Sequence, residues 1–67
     1  MQQFRIKGLY AITPDIECTS DLVEKVDQVL SSGVRYVQYR NKSITHEQRV
    51  DQAYAIMERC KLYGAKL

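Results

Sequence analysis

A chain of 67 residues is at most one small domain, and at this size folding buries only ~60% of the surface that the unfolded chain exposes. Its 45% hydrophobic and 27% charged residues are those of an ordinary globular protein and exclude a disordered class. The net charge of +2 is too small to imply a nucleic-acid or membrane partner, so local clustering of charge matters more than the total.

No apolar run approaches the ~18 residues that span a bilayer, and Met1-Gln2-Gln3-Phe4-Arg5 lacks the apolar centre of a signal peptide. The expected location is the cytoplasm. Cys18 and Cys60 are far apart, with no CxxC spacing and no second pair, so neither a disulfide framework nor a zinc site is indicated. Reduced thiols are expected in that compartment.

Taken in order, Met1 to Lys7 read as a polar lead-in ending at Gly8. Leu9-Tyr10-Ala11-Ile12 is a short apolar run of the kind found in buried parallel strands, and Thr13-Pro14-Asp15 ends it. Pro14 has no N–H for a ladder and biases Thr13 away from helix, so the chain turns there. Thr19, Ser20 and Asp21 are capping residues, and Asp21 with Glu24 three positions on has capping-box spacing, which predicts a helix start about there. Leu22, Val23, Val26, Val29 and Leu30 form its apolar stripe, opposite Glu24, Lys25, Asp27 and Gln28. Ser31-Ser32-Gly33 ends it, with Gly33 suited to a left-handed terminus.

A second strand follows at once in Val34-Arg35-Tyr36-Val37-Gln38-Tyr39-Arg40. Side chains two apart share a face, so Tyr36, Gln38 and Arg40 lie on one side and Arg35, Val37 and Tyr39 on the other. With Lys42 just past the strand tip, Gln38, Arg40 and Lys42 offer an amide, a guanidinium fork and an ammonium to one spot. Arg grips phosphate oxygens in pairs and Lys adds a mobile charge, so the set suits a polyanion.

Asn41 to Ile44 read as a loop, and Thr45 with Gln48 repeats the capping-box spacing ahead of a helix from about His46 to Tyr63. Val50, Ala53, Tyr54, Met57 and Cys60, widened by Ile56, mark its predicted buried stripe, and Gly64 its stop. Ala65-Lys66-Leu67 reads as the opening of a third strand. The alternation predicts an α/β fold, a βαβα(β) series on a parallel sheet. Two parallel strands leave both sheet edges and one face open, so either a larger α/β domain or further copies of the chain must cover them, and a homo-oligomer through the strand edges is expected.

Three stretches carry a resemblance to the thiamine-phosphate synthase family: Gly8-Leu9-Tyr10-Ala11-Ile12-Thr13-Pro14-Asp15, Gly33-Val34-Arg35-Tyr36-Val37-Gln38-Tyr39-Arg40-Asn41-Lys42, and Tyr63-Gly64-Ala65-Lys66-Leu67. The Gln-x-Arg-x-Lys strand end is the most specific of them. The resemblance implies that residues 1–67 are a single N-terminal piece of a TIM barrel, about its first two strand-helix units, a full barrel needing at least ~200 residues. It further implies a transferase that joins hydroxymethylpyrimidine diphosphate to thiazole phosphate, giving thiamine phosphate and pyrophosphate. Gln38, Arg40 and Lys42 would contact the diphosphate. Magnesium is the implied cofactor, its aspartate ligands lying beyond Leu67, so this chain by itself is expected to be inactive. A related thiazole tautomerase branch is the nearest alternative, and Gln38 favours the synthase side.

Each residue also has a plainer reading. Arg40 and Lys42 could be solvated charges at a strand end, and Gln38 a satisfied polar residue beside a loop. His46 reads as a surface imidazole in a first helical turn, with no acid partner near it in sequence. Asp15 and Glu17 read as turn and capping residues rather than metal ligands. A nucleic-acid module would use the basic aromatic strand as a stacking platform, but period two sends Tyr36 and Tyr39 to opposite faces, which argues against that partner.

Overall fold

The computed structural model describes residues 4–67. Three short strands, β1 (Arg5–Lys7), β2 (Tyr10–Ile12) and β3 (Tyr36–Gln38), and two helices, α1 (Thr19–Ser31) and α2 (His46–Tyr63), follow in the order β1-β2-α1-β3-α2. The sheet order is β1-β2-β3. β2 and β3 run parallel with Tyr10 against Tyr36, Ala11 against Val37 and Ile12 against Gln38. Lys66 forms a parallel bridge to Tyr36, so the chain starts a further parallel strand on the other side of β3, where the sequence places one.

The lead-in expected before Gly8 is in part a strand. β1 pairs antiparallel with β2, Arg5 opposite Ile12 and Lys7 opposite Tyr10, so the sheet is mixed rather than all parallel. Gly8 permits this: its φ of 59° lies in the left-handed region that a tight reversal needs and that a Cβ disfavours. The polar alternation of Arg5-Ile6-Lys7 suits an edge strand, which covers one open side of β2. Met1 to Gln3 lie outside the described residues.

One face of the sheet is packed and one is open. Ala11 and Val37 meet Leu22, Val26 and Leu30 of α1 and Ile56 and Cys60 of α2 in a single core with Ile16 and Val34. The stripe of α1 is as predicted, with Val23 and Val29 half-buried at its margins. Asp27 on its flank receives the Arg59 guanidinium of α2 at 2.6 Å, an ion pair across the two helices. The opposite sheet face stays exposed, and there the rings of Tyr10 and Tyr36 stack with centroids 5.1 Å apart. Both thiols are free, Cys18 exposed and Cys60 buried.

Helix ends follow their caps. Thr45 and Gln48 form a full capping box, the Thr45 hydroxyl accepting from the Gln48 N–H at 3.2 Å and the Gln48 side chain from the Thr45 N–H at 3.0 Å. Gly64 closes α2 in the left-handed conformation at φ 71°, the Schellman-type ending that glycine favours. α1 starts earlier than its sequence suggests, with Cys18 in the cap position and no side-chain cap bond. Asp21 therefore sits in the first turn, where its charge faces the positive helix end instead of capping it.

α2 buries only part of the predicted stripe: Ile56 and Cys60 lie in the core and Ala53 and Met57 are half-buried, but Gln52 joins them and Val50 and Tyr54 do not. Gln52, Ile56 and Cys60, spaced by four, face the core, whereas Val50 and Tyr54 are 40% and 63% exposed. Gln52 can face inward because its amide is fully hydrogen-bonded there, and Val50 and Tyr54 lie toward the outer side. Val50, Ala53, Tyr54 and Met57 then line a shallow apolar hollow of about 180 Å³ with Leu67.

Candidate functional site

The residues after β3 are set by alternation that outlasts the strand. Val37 packs in the core, Tyr39 is half-buried and Asn41 is buried, all toward the helices. Gln38, Arg40 and Lys42 lie between them and are exposed. The odd side chains anchor and the even ones are presented.

The anchor is a pair of carboxamides. Gln52, wholly buried on α2, donates from Nε2 to the Ile16 and Glu17 carbonyls at 3.0 and 3.1 Å. Its Oε1 accepts from the Tyr39 hydroxyl at 2.6 Å and from Asn41 Nδ2 at 3.0 Å. Asn41 Nδ2 also donates to the Ile16 carbonyl at 2.8 Å, and its Oδ1 accepts from the Ser43 N–H and hydroxyl at 3.0 and 2.7 Å. Each amide thus uses two donor and two acceptor sites, its full capacity. Arg49 adds weaker bonds to the Asn41 and Ile44 carbonyls at 3.4 and 3.2 Å. The network ties the loop after β2, the loop after β3 and α2 into one unit.

On the presented side, Arg40 and Lys42 line a pocket of about 220 Å³ with Arg5, Ile12, Thr13, Pro14 and Asp15. Three cationic side chains face one carboxylate there. Sites for drug-sized ligands run to ~300–1,000 Å³, so this one fits a compact anion. Gln38 lies one strand across from Ile12 and lines a separate pocket of about 230 Å³ with Tyr10, Tyr36, Val37 and Leu67. The structure thus brings Arg40 and Lys42 together and places Gln38 beside a different hollow on the open face. Arg5 joins them only because β1 folds back along β2. A larger hollow of about 370 Å³ along β1 and β2 is lined by Arg5, Ile6, Lys7, Tyr10 and Ile12, with no carboxylate, imidazole or thiol.

Asp15 bridges to the other loop rather than serving its own turn, its Oδ1 accepting from the Lys42 N–H at 3.1 Å, and Glu17 contributes its main-chain carbonyl to Gln52. Tyr39 turns inward to Gln52 while Tyr36 stays on the open face, so the two do not form one stacking platform. Among the described residues no three His, Cys, Asp or Glu side chains gather into a metal-binding group. No helix of the described residues is long and apolar enough to cross a membrane.

The profile of a family described as thiamine monophosphate synthase matches residues 9–67. The chain belongs to this family. It is 43% identical, over its whole length, to a thiamine-phosphate synthase of Nitrosomonas eutropha, covering 32% of that protein. It is 44% identical over 92% of its length to the enzyme of that name from Methylobacillus flagellatus, covering 30% of it, and 41% identical over 88% to that of Saccharophagus degradans, covering 28%. The chain therefore spans about a third of the length of these relatives. No solved structure matches it. The match includes β2, β3 and both helices and begins after β1, so Arg5 lies outside it.

Two measurements check the anchor. Replacing Gln52 with Leu leaves the Tyr39 hydroxyl and one proton of the Asn41 amide without acceptors and the Glu17 carbonyl without this donor. At ~1–3 kcal/mol for each buried group left unpaired, the expected loss is about 3 kcal/mol or more by urea denaturation. A change below about 1 kcal/mol would show the network to be ornamental. Burial of the Tyr39 phenol raises its pKa above the ordinary 10.0, outweighing the opposing pull of Asn41 and the Arg49 charge. A raised folded value means the contribution is complete below pH 10 and is lost as pH climbs through and beyond it. Stability should therefore fall less steeply above pH 10 in Tyr39→Phe than in the parent chain, and parallel slopes would contradict the assignment.

Proposed function

We propose that this chain supplies the opening section of a TIM-barrel thiamine-phosphate synthase, including part of its diphosphate site, and is inactive alone. The observation that carries this is the pocket in which Arg40 and Lys42 stand together at the C-terminal end of parallel β2 and β3. TIM barrels place their chemistry at that end of the strands. The parallel bridge at Lys66 supports continuation of the sheet in the same sense. β1 occupies the β2 edge that a closed barrel pairs with its last parallel strand, so closure requires β1 to give up that edge.

In this reading the substrate is a pyrimidine carrying a diphosphate. The bond from the pyrimidine methylene carbon to the diphosphate oxygen breaks with its electron pair going to oxygen. The nitrogen lone pair of thiazole phosphate then forms the new C–N bond. Arg40 grips the phosphate oxygens in a fork, and Lys42 adds a point charge where negative charge builds on the leaving diphosphate. Gln38 lines the neighbouring hollow on the same open face, so its contact with the diphosphate needs a ligand that reaches across both hollows. Magnesium is the implied cofactor, and in this reading the chain's own part is the positive charge of Arg40 and Lys42. The same reading places the protein in the cytoplasm, with copies associating through the open sheet face and edge.

The test is titration calorimetry of the 67-residue chain with inorganic pyrophosphate. Arg40→Gln should weaken binding about tenfold or more and Lys42→Gln by a smaller factor, since a hydrogen bond to a charged group contributes ~1.5–3 kcal/mol and 1.4 kcal/mol is tenfold. With both substrates and magnesium the chain should form no thiamine phosphate. Unchanged binding in both variants would overturn the site, and product above background would overturn the inactivity.

A further inference from the structure

Arg40 and Lys42 are held at the main chain, and what holds them is the loop leaving β2. The Thr13 N–H donates to the Gln38 carbonyl at 3.0 Å, carrying the β2-β3 ladder one step past the strands. The Thr13 hydroxyl then clamps the next presented residue from both sides, accepting from the Arg40 N–H at 2.9 Å and donating to the Arg40 carbonyl at 3.1 Å. Asp15 Oδ1 takes the third, accepting from the Lys42 N–H at 3.1 Å. The tethered positions are 38, 40 and 42, the three whose side chains face away from the core.

We propose that Thr13 and Asp15 are positioning residues: the loop after β2 is a template whose hydroxyl and carboxylate fix the main chain of Arg40 and Lys42, and so aim both cations at a bound diphosphate. This rests on the diphosphate reading given above. The charge of Asp15 makes the case. Its carboxylate lines an anion pocket, where charge alone opposes binding, so its place there is explained by the bond it accepts rather than by the field it makes. Thr13 is buried, which removes water as a competitor for the Arg40 main chain and leaves its hydroxyl as the partner for both groups.

The two roles of Asp15 predict opposite signs. Asp15→Asn keeps an acceptor oxygen and drops the charge, so inorganic pyrophosphate should bind the 67-residue chain at least as tightly as in the parent. Asp15→Ala drops both, and it should bind about fivefold more weakly than Asp15→Asn despite the same charge, a loss typical of one hydrogen bond. Thr13→Ser, which retains the hydroxyl, should stay within about twofold of the parent, and Thr13→Val should lose about tenfold. In an Arg40→Gln background Thr13→Val should cost nothing further, because its effect runs through Arg40.

If Asp15→Ala binds as tightly as Asp15→Asn, and Thr13→Val lowers only the melting temperature, the positioning role is overturned while a loss in Arg40→Gln keeps the diphosphate site. If Arg40→Gln binds like the parent, the site itself fails and the proposal with it. Should Thr13→Val not fold, the Asp15 pair decides alone, since a half-buried loop carboxylate can be replaced without emptying the core.

Discussion

The buried carboxamide of Gln52 is the constraint on which the rest depends. It lies on α2, wholly buried, and a buried amide without partners costs several kcal/mol. All four of its hydrogen-bonding sites are used, on the carbonyls of Ile16 and Glu17, on Tyr39 and on Asn41. That one group joins the exits of both parallel strands to the second helix. A two-helix core of this size gives little rigidity to loops, and the polar network supplies it where apolar area is short.

From that constraint the presented face follows. With Val37 in the core and Tyr39 and Asn41 tied to Gln52, the intervening Gln38, Arg40 and Lys42 point outward. Exposed Arg and Lys normally lose much conformational entropy when a ligand immobilises them. A main chain fixed at Arg40 by Thr13 and at Lys42 by Asp15 has met part of that cost in folding. The segment from Val37 to Lys42 thus divides by parity: odd residues hold and even residues are presented.

Much of this was legible in the residue order because it depends on local chemistry. The capping box at Thr45 and Gln48, the glycine stop at Gly64, the stripe of Leu22, Val26 and Leu30 and the period-two split around Val37 each rest on neighbours within a few positions. What was not legible depends on partners far along the chain. Gln52 looks like a solvent residue until Ile16, Tyr39 and Asn41 are brought to it, 36, 13 and 11 positions away. Taking it inward turns Val50 and Tyr54 out. β1 reads as a tail because three alternating residues gain strand character only from the edge they pair with, and α1 begins at Thr19 without help from a capping side chain. For the site, the residue types and the strand end were readable in Gln38, Arg40 and Lys42. Their distribution between two pockets, and the Thr13 and Asp15 tethers behind them, needed the fold.

The presented face has one direct signature, the place where an anion touches the chain. A residue-resolved NMR titration of the 67-residue protein with inorganic pyrophosphate addresses that directly. The largest amide shifts should fall together on Thr13, Asp15, Arg40 and Lys42, with the Val37, Ile56 and Cys60 amides of the core nearly unmoved. Shifts centred on the outer faces of α1 and α2, or none at a large excess of pyrophosphate, would contradict it.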